Sequence, residues 1–240
     1  MKKIKKLSLL LVVFTVLFTS CGVFGQKTPK QIQQNVMNYY KDYKMIEANL
    51  SLKQKNKKIK NIEDDLKADL KIDSNKKVFA NLQNKNFSPS VYFDFSKLNS
   101  VKFYINMFGQ WNKTEQDLTQ MLDQSKISGK TNEDKILTSI NQLFERKVFT
   151  VLKESSNYVL STNLLKIKEE LAGDFEKDPL KKDEVFNEDN KVEIKVDASN
   201  YSIKEIKVYN KDIELNISEV KKVNGEVTLP NEALNGEEIR

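Results

Sequence analysis

Hydrophobic and polar positions alternate along most of this chain, and the departures from alternation mark its helices. From Met45 onward Ile46, Ala48, Leu50 and Leu52 fall on one side of an extended segment and Glu47, Asn49, Ser51 and Lys53 on the other. This period of two is that of a half-buried antiparallel strand. The same period returns in Ile62, Leu66, Ala68, Leu70 and Ile72, in Val78, Ala80 and Leu82, in Val91, Phe93 and Phe95, and in Val101, Phe103 and Ile105. Polar turns such as Asp73-Ser74-Asn75 separate the runs, and residues 109–113 complete the last hairpin, so a meander is predicted. Further on, 149–153 and 158–161 predict a hairpin across Ser155-Ser156-Asn157. Residues 192–196, 203–209 and 213–220 predict three closing strands, and Val227-Thr228-Leu229-Pro230 a terminal edge.

A period of three to four appears in four places. Thr28-Pro29-Lys30-Gln31 joins a capping box to a proline at the first helical position, and Ile32, Val36, Tyr39, Tyr40 and Tyr43 follow on one face, predicting a helix to about Lys44. Threonine caps with an aspartate three residues on predict helices from Thr114 to about Lys126 and from Thr131 to about Arg146. A fourth is predicted from Asn163 to Ala172, stopped by Gly173. Residues 174–190 are rich in acids and lysines and are expected as a charged surface loop.

The N-terminus carries an address. Lys2, Lys3, Lys5 and Lys6 precede an almost unbroken apolar run from Leu7 to Phe18, the layout of a signal peptide over 1–20. A transmembrane helix needs roughly 20 consecutive apolar residues, and this run ends well short of that. Leu17-Phe18-Thr19-Ser20-Cys21-Gly22 resembles the lipobox of bacterial lipoproteins, with Ser20 and Gly22 in pattern and leucine one residue earlier than usual, at Leu17. The resemblance implies cleavage before Cys21, thioether lipidation of its sulfur with diacylglycerol and an added fatty acyl group such as palmitate. A tether over 21–27 would then lead into a single domain over 28–236. Two or more chains give durable anchoring where one does not.

Charge and composition then remove most enzyme classes. Four of the 40 basic residues lie in the leader and all 34 acidic residues lie beyond it, so the mature chain is near +2 and no nucleic-acid partner is expected. The chain has no histidine and one cysteine, which removes the usual general base and the common soft metal ligands. No glycine spacing fits a phosphate-binding loop. No cofactor or metal is expected, nor an enzyme; a pair of carboxylates could in principle hydrolyse a glycoside, but no pair stands out. A lone cysteine forms no internal disulfide, so a packed core must hold the domain.

Taken together, the order of lipidated cysteine, helix, long meander, helical insert, hairpin, helix and closing strands resembles the LolA/LolB and mycobacterial LppX/LprG lipoproteins. It resembles more closely uncharacterised lipoproteins of low-GC Gram-positive bacteria with that fold. Gly109-Gln110-Trp111-Asn112-Lys113-Thr114 and 227–233 are similar to phrases of the latter. The resemblance implies an α+β fold: an incomplete antiparallel β-barrel, or half-barrel, with helices over its concave face and a cavity for acyl chains. The residues offer a reason of their own. Ala48, Ala68 and Ala80 sit mid-row on successive strands and, if aligned, would leave a trough lined by Leu50, Leu66, Leu70, Phe93, Phe95, Phe103 and Ile105. Equally, Tyr39, Tyr40 or Tyr43 could fill it. Trp111 fits a cavity rim or a turn residue packed on the sheet. The expected function is that of a monomeric lipoprotein on the extracytoplasmic face of the cell membrane, carrying or sensing a lipid or other hydrophobic ligand. The alternative is a module with a filled core that docks an envelope protein.

Overall fold

The structure, a computed structural model, describes residues 27–55, 66–84, 88–117, 141–145, 148–172 and 187–238. Helix α1 (Pro29–Tyr40) starts as its capping box requires: Gln31 N–H donates to Thr28 Oγ1 at 3.3 Å and Thr28 N–H to Gln31 Oε1 at 2.8 Å. It ends at Tyr40, four residues before the predicted end. The chain turns back there, and the Tyr43 hydroxyl donates to the Asp73 carbonyl at 3.4 Å.

The meander follows as β1 (Met45–Gln54), β2 (Leu66–Asp73), β3 (Lys77–Gln83), β4 (Ser90–Asp94), β5 (Val101–Met107) and β6 (Gln110–Gln116). The hairpin is β7 (Thr150–Glu154) and β8 (Asn157–Asn163), and α2 (Leu164–Ala172) starts at an asparagine cap, Lys166 N–H donating to Asn163 Oδ1 at 2.8 Å. The closing strands are β9 (Lys191–Asp197), β10 (Ile203–Tyr209) and β11 (Ile213–Val223), followed by α3 (Asn231–Leu234) and β12 (Glu237–Glu238). The twelve strands among the described residues join one open sheet in the order β12-β6-β5-β4-β3-β2-β1-β11-β10-β9-β8-β7, antiparallel except where β12 lies parallel to β6. The architecture is the α+β half-barrel: a large unclosed antiparallel sheet with helices against it. Chain ends meet in its middle, since β11 returns to pair with β1. Bulges at Glu47/Asn49 opposite β11 and at Ile203/Glu205 opposite β9 bend those strands, the local effect that curls a sheet.

Three expectations need correction. Thr114 does not open a helix; it continues β6, paired with Phe103, because β5 offers seven ladder positions and cross-strand pairing outweighs a capping signal. The segment 227–230 is no edge strand: Val227 N–H goes to the Asp73 carboxylate at 3.1 Å, and Glu237–Glu238 covers the sheet edge instead. Phe95 lies one residue beyond β4. The leader, Cys21 and the tether to Gln26, Ile62, residues 118–140 and 173–186 lie outside the described residues; of the predicted insert, 141–145 is described and helical.

Candidate functional site

The inner face of the sheet is built row by row from the register. One row runs Val151, Leu160, Ile194, Ile206, Ile217, Leu50, Ala68, Leu82 across eight strands, and the next runs Ala48, Leu70, Ala80, Val91, Ile105. The three alanines therefore do not line up side by side. Ala48 and Ala80 both face Leu70, while Ala68 lies between Leu50 and Leu82. Small and large side chains alternate in both directions, which lets neighbours interdigitate. Ala48, Leu50, Ala68, Leu70, Ala80, Phe93 and Phe95 are buried in one core, and Phe103 and Ile105 pack half-buried against it. Leu66 is half-buried at the strand end. Phe93 stacks on Phe95 at 5.6 Å between ring centres and tilts against Phe103 at 4.8 Å.

Helix α1 closes the inner face at one end. Ile32, Val36 and Tyr40 join the core, and Tyr40 is fully buried, its oxygen accepting from Ile203 N–H at 3.2 Å. Burial pushes the Tyr40 phenol well above its usual range. Tyr39 meets Tyr40 edge to face at 4.8 Å, and burial also raises Tyr43. Gln33 ties α1 to the helical turn at 141–145 through Asn141 at 2.9 Å, and Lys30 pairs with Glu145 at 2.8 Å. From that turn Leu143 and Phe144 enter the core, Phe144 stacking on Phe149 at 4.7 Å. The tyrosine of α1 that enters the core thus sits among the β10 residues.

At the opposite strand ends the inner face is less covered. Leu52, Leu66, Leu82, Ile105 and Val208 are only half-buried. Thr162, whose pairing with Val192 continues through Val208, Leu215 and Leu52, has a buried Oγ1 with no hydrogen-bond partner. Chemically this is an apolar surface with one unused hydroxyl. Among the described residues no three His, Cys, Asp or Glu side chains converge on a metal-sized site.

No family model matches this chain, and no curated protein does. Solved structures resemble it distantly. The lipoprotein LppX of Mycobacterium tuberculosis aligns over 84% of this chain and 98% of its own, at 8% identity and a TM-score of 0.46. LprF of Mycobacterium bovis aligns over 85% and 97%, at 12% identity and 0.38. A LolA superfamily protein of Nitrosomonas europaea aligns over 86% and 96%, at 12% identity and 0.31. The fold described above stands on the strand order itself.

The alternation did not disclose a second core on the outer face. Met45, Tyr92, Tyr104, Val227 and Ala233 are buried there together, with Phe79, Trp111, Val223 and Leu229 packed against them. Tyr92 and Tyr104 meet edge to face at 5.6 Å. The C-terminal segment straps this cluster down: the Asp73 carboxylate holds Val227, Lys113 Nζ donates to the Leu234 carbonyl at 3.1 Å, and Gly236 lies so near the Trp111 carbonyl that a Cβ would stand 2.8 Å from its oxygen. Trp111 is therefore packed on the outer face rather than on the rim of the inner one. A signal was available: Phe79, Tyr92 and Tyr104 occupy successive outward positions of β3 to β5, where polar residues were expected.

Proposed function

We propose that this chain is an extracytoplasmic lipoprotein, cleaved before Cys21 and held to the cell membrane by lipid on that residue. Its inner sheet face binds a lipid or other hydrophobic ligand as a carrier or sensor. The observation that carries the reading is the set of half-buried apolar residues Leu52, Leu66, Leu82, Ile105 and Val208 at the end of the inner face away from α1. Apolar side chains left partly wet on a concave surface bind apolar ligands. Tethering would raise the effective concentration of that surface at the membrane. The order of elements and the lipobox-like Leu17 to Gly22 support the same reading. A closeness to lipoproteins of low-GC Gram-positive bacteria rests on the phrases Gly109 to Thr114 and 227–233.

The interdigitated alanines and leucines and the buried Tyr40 favour a second reading, an envelope protein-interaction module with a filled core. Native mass spectrometry of the purified mature chain separates the two. The leading reading expects a co-purifying acyl lipid, lost when Leu66 and Leu82 are both replaced by Lys while the melting transition remains cooperative. A chain that carries no lipid and takes none from added phospholipid would sink it.

A further inference from the structure

The residues of Gly109-Gln110-Trp111-Asn112-Lys113-Thr114 divide between the two faces of β6. Those turned outward have partners within the chain: Trp111 packs on the second core, Lys113 Nζ donates to the Leu234 carbonyl, and farther along the strand Glu115 accepts from the Ser100 hydroxyl. The C-terminal strap accounts for Trp111 and Lys113. The residues turned inward are Gln110, Asn112, Thr114 and Gln116, which pair with Met107, Ile105, Phe103 and Val101 of β5. Directly paired residues share a face, and Phe103 and Ile105 pack against the inner core. Among the described residues none of these four polar side chains is hydrogen-bonded. Asn112 and Thr114 are nevertheless half-buried, and polar groups drawn from water without a partner carry a cost.

The inner positions of β5 and β6 thus form two rows side by side, one apolar and one of carboxamides and a hydroxyl, with no Lys, Arg, Asp or Glu in either. Neighbouring strands lie about 4.8 Å apart, and alternate residues along a strand about 7 Å apart. One head with several polar atoms can therefore meet Asn112 and Thr114 together while its chain lies on the apolar row. Ile105, paired with Asn112, is one of the half-buried apolar residues at the open end of the inner face. A carboxamide and a threonine hydroxyl each both donate and accept. They match a group that does the same, which is a hydroxyl. A phosphate or carboxylate only accepts, and once withdrawn from water it calls for a cation that neither row supplies.

We propose that the inward row of β6 is the headgroup subsite of the inner face, and that it selects lipids whose head is uncharged and bears hydroxyls, as a sugar or a glycerol does. The inference rests on the reading of the inner face as a lipid site and adds which lipids that site takes. Asn112 and Thr114 are its central contacts, with Gln110 and Gln116 at the two ends of the row.

The test is native mass spectrometry of the mature chain with three lipids of identical acyl chains: monoglucosyl dioleoylglycerol, dioleoylglycerol and dioleoylphosphatidic acid. Both neutral lipids are expected to bind at least about tenfold more tightly than phosphatidic acid. A preference for the glucosyl lipid over dioleoylglycerol identifies the sugar as the head that is read, and equal binding identifies the glycerol hydroxyl. Asn112→Leu with Thr114→Val should weaken the neutral lipids about tenfold and phosphatidic acid by less than about twofold. Lys102→Ala, on the outward face of β5, should change none of the three by more than about twofold. If the double variant loses its cooperative melting transition, Asn112→Ala alone must still weaken the neutral lipids about threefold. Phosphatidic acid bound as tightly as the neutral lipids, or a double variant that loses nothing or loses all three alike, overturns the subsite and leaves the lipid site standing. A chain that binds none of the three and carries no lipid when purified sinks the lipid reading itself, and the subsite with it.

Discussion

Tyr40 places a phenol in an otherwise apolar core, and its oxygen accepts from the Ile203 N–H beside the bulge of β10. Tyr40→Phe should therefore cost about 1–2 kcal/mol at neutral pH, because a buried donor loses its acceptor. The same residue sets an alkaline limit. A free phenol titrates near 10.0, and burial raises Tyr40 above that. Above pH 10 the unfolded chain therefore releases a proton that the folded chain retains, so stability is complete below that pH and falls as pH rises through it. Tyr209, held by its hydrogen bond to Glu193 and pushed up to about 12, acts in the same direction with less weight because it is more exposed. Urea midpoints measured from pH 8 to 12 should fall less steeply in Tyr40→Phe than in the parent. Phe108 shows the opposite economy. It is 87% exposed and sits at φ 56° before Gly109 at φ 85° in the β5–β6 turn, a left-handed pair that suits Asn-Gly far better than Phe-Gly. Phe108→Asn is expected to stabilise by ~0.5–1 kcal/mol in chemical denaturation.

Among elements, the C-terminal strap depends on one side chain. The buried Asp73 carboxylate gathers three backbone N–H groups, from Asn75, Lys77 and Val227, so it orders the β2–β3 turn and ties residues 154 positions apart. Asp73→Ala leaves those donors without an acceptor, and a loss of ~3 kcal/mol or more is expected. Hydrogen exchange should show Val227 and the β6–β12 edge opening first; a variant with unchanged protection there would contradict the strap's dependence on Asp73. This coupling was not legible, because Asp73-Ser74-Asn75 reads locally as a turn and nothing near it points to Val227. The strands were legible, since alternation is a local property that burial on one face imposes on each segment. Where both faces are buried, as in β4 with Val91, Tyr92 and Phe93, the alternation vanishes and only the run of apolar residues remains. Thr114 misled for a related reason: a cap signal is worth about 1 kcal/mol, less than continuing a seven-residue ladder.

For the whole molecule, the feature to test is the proposed lipid anchor at Cys21. Cys21→Ser should abolish labelling of the protein by radioactive palmitate in its cell and shift it from the membrane pellet to the soluble or secreted fraction. Retention of the label would show that another residue is acylated. The sequence by itself determined the capping box of α1 and the phase of nearly every described strand, because each is written in residues adjacent or one turn apart. Only the tertiary structure decided that each alanine meets leucine rather than alanine, that β11 returns to β1, and that a C-terminal strap seals a second core. Those outcomes depend on which distant segments pair and in what register. Strand pairing is chosen by the summed burial and hydrogen bonding of the whole sheet, which no local pattern of residues records.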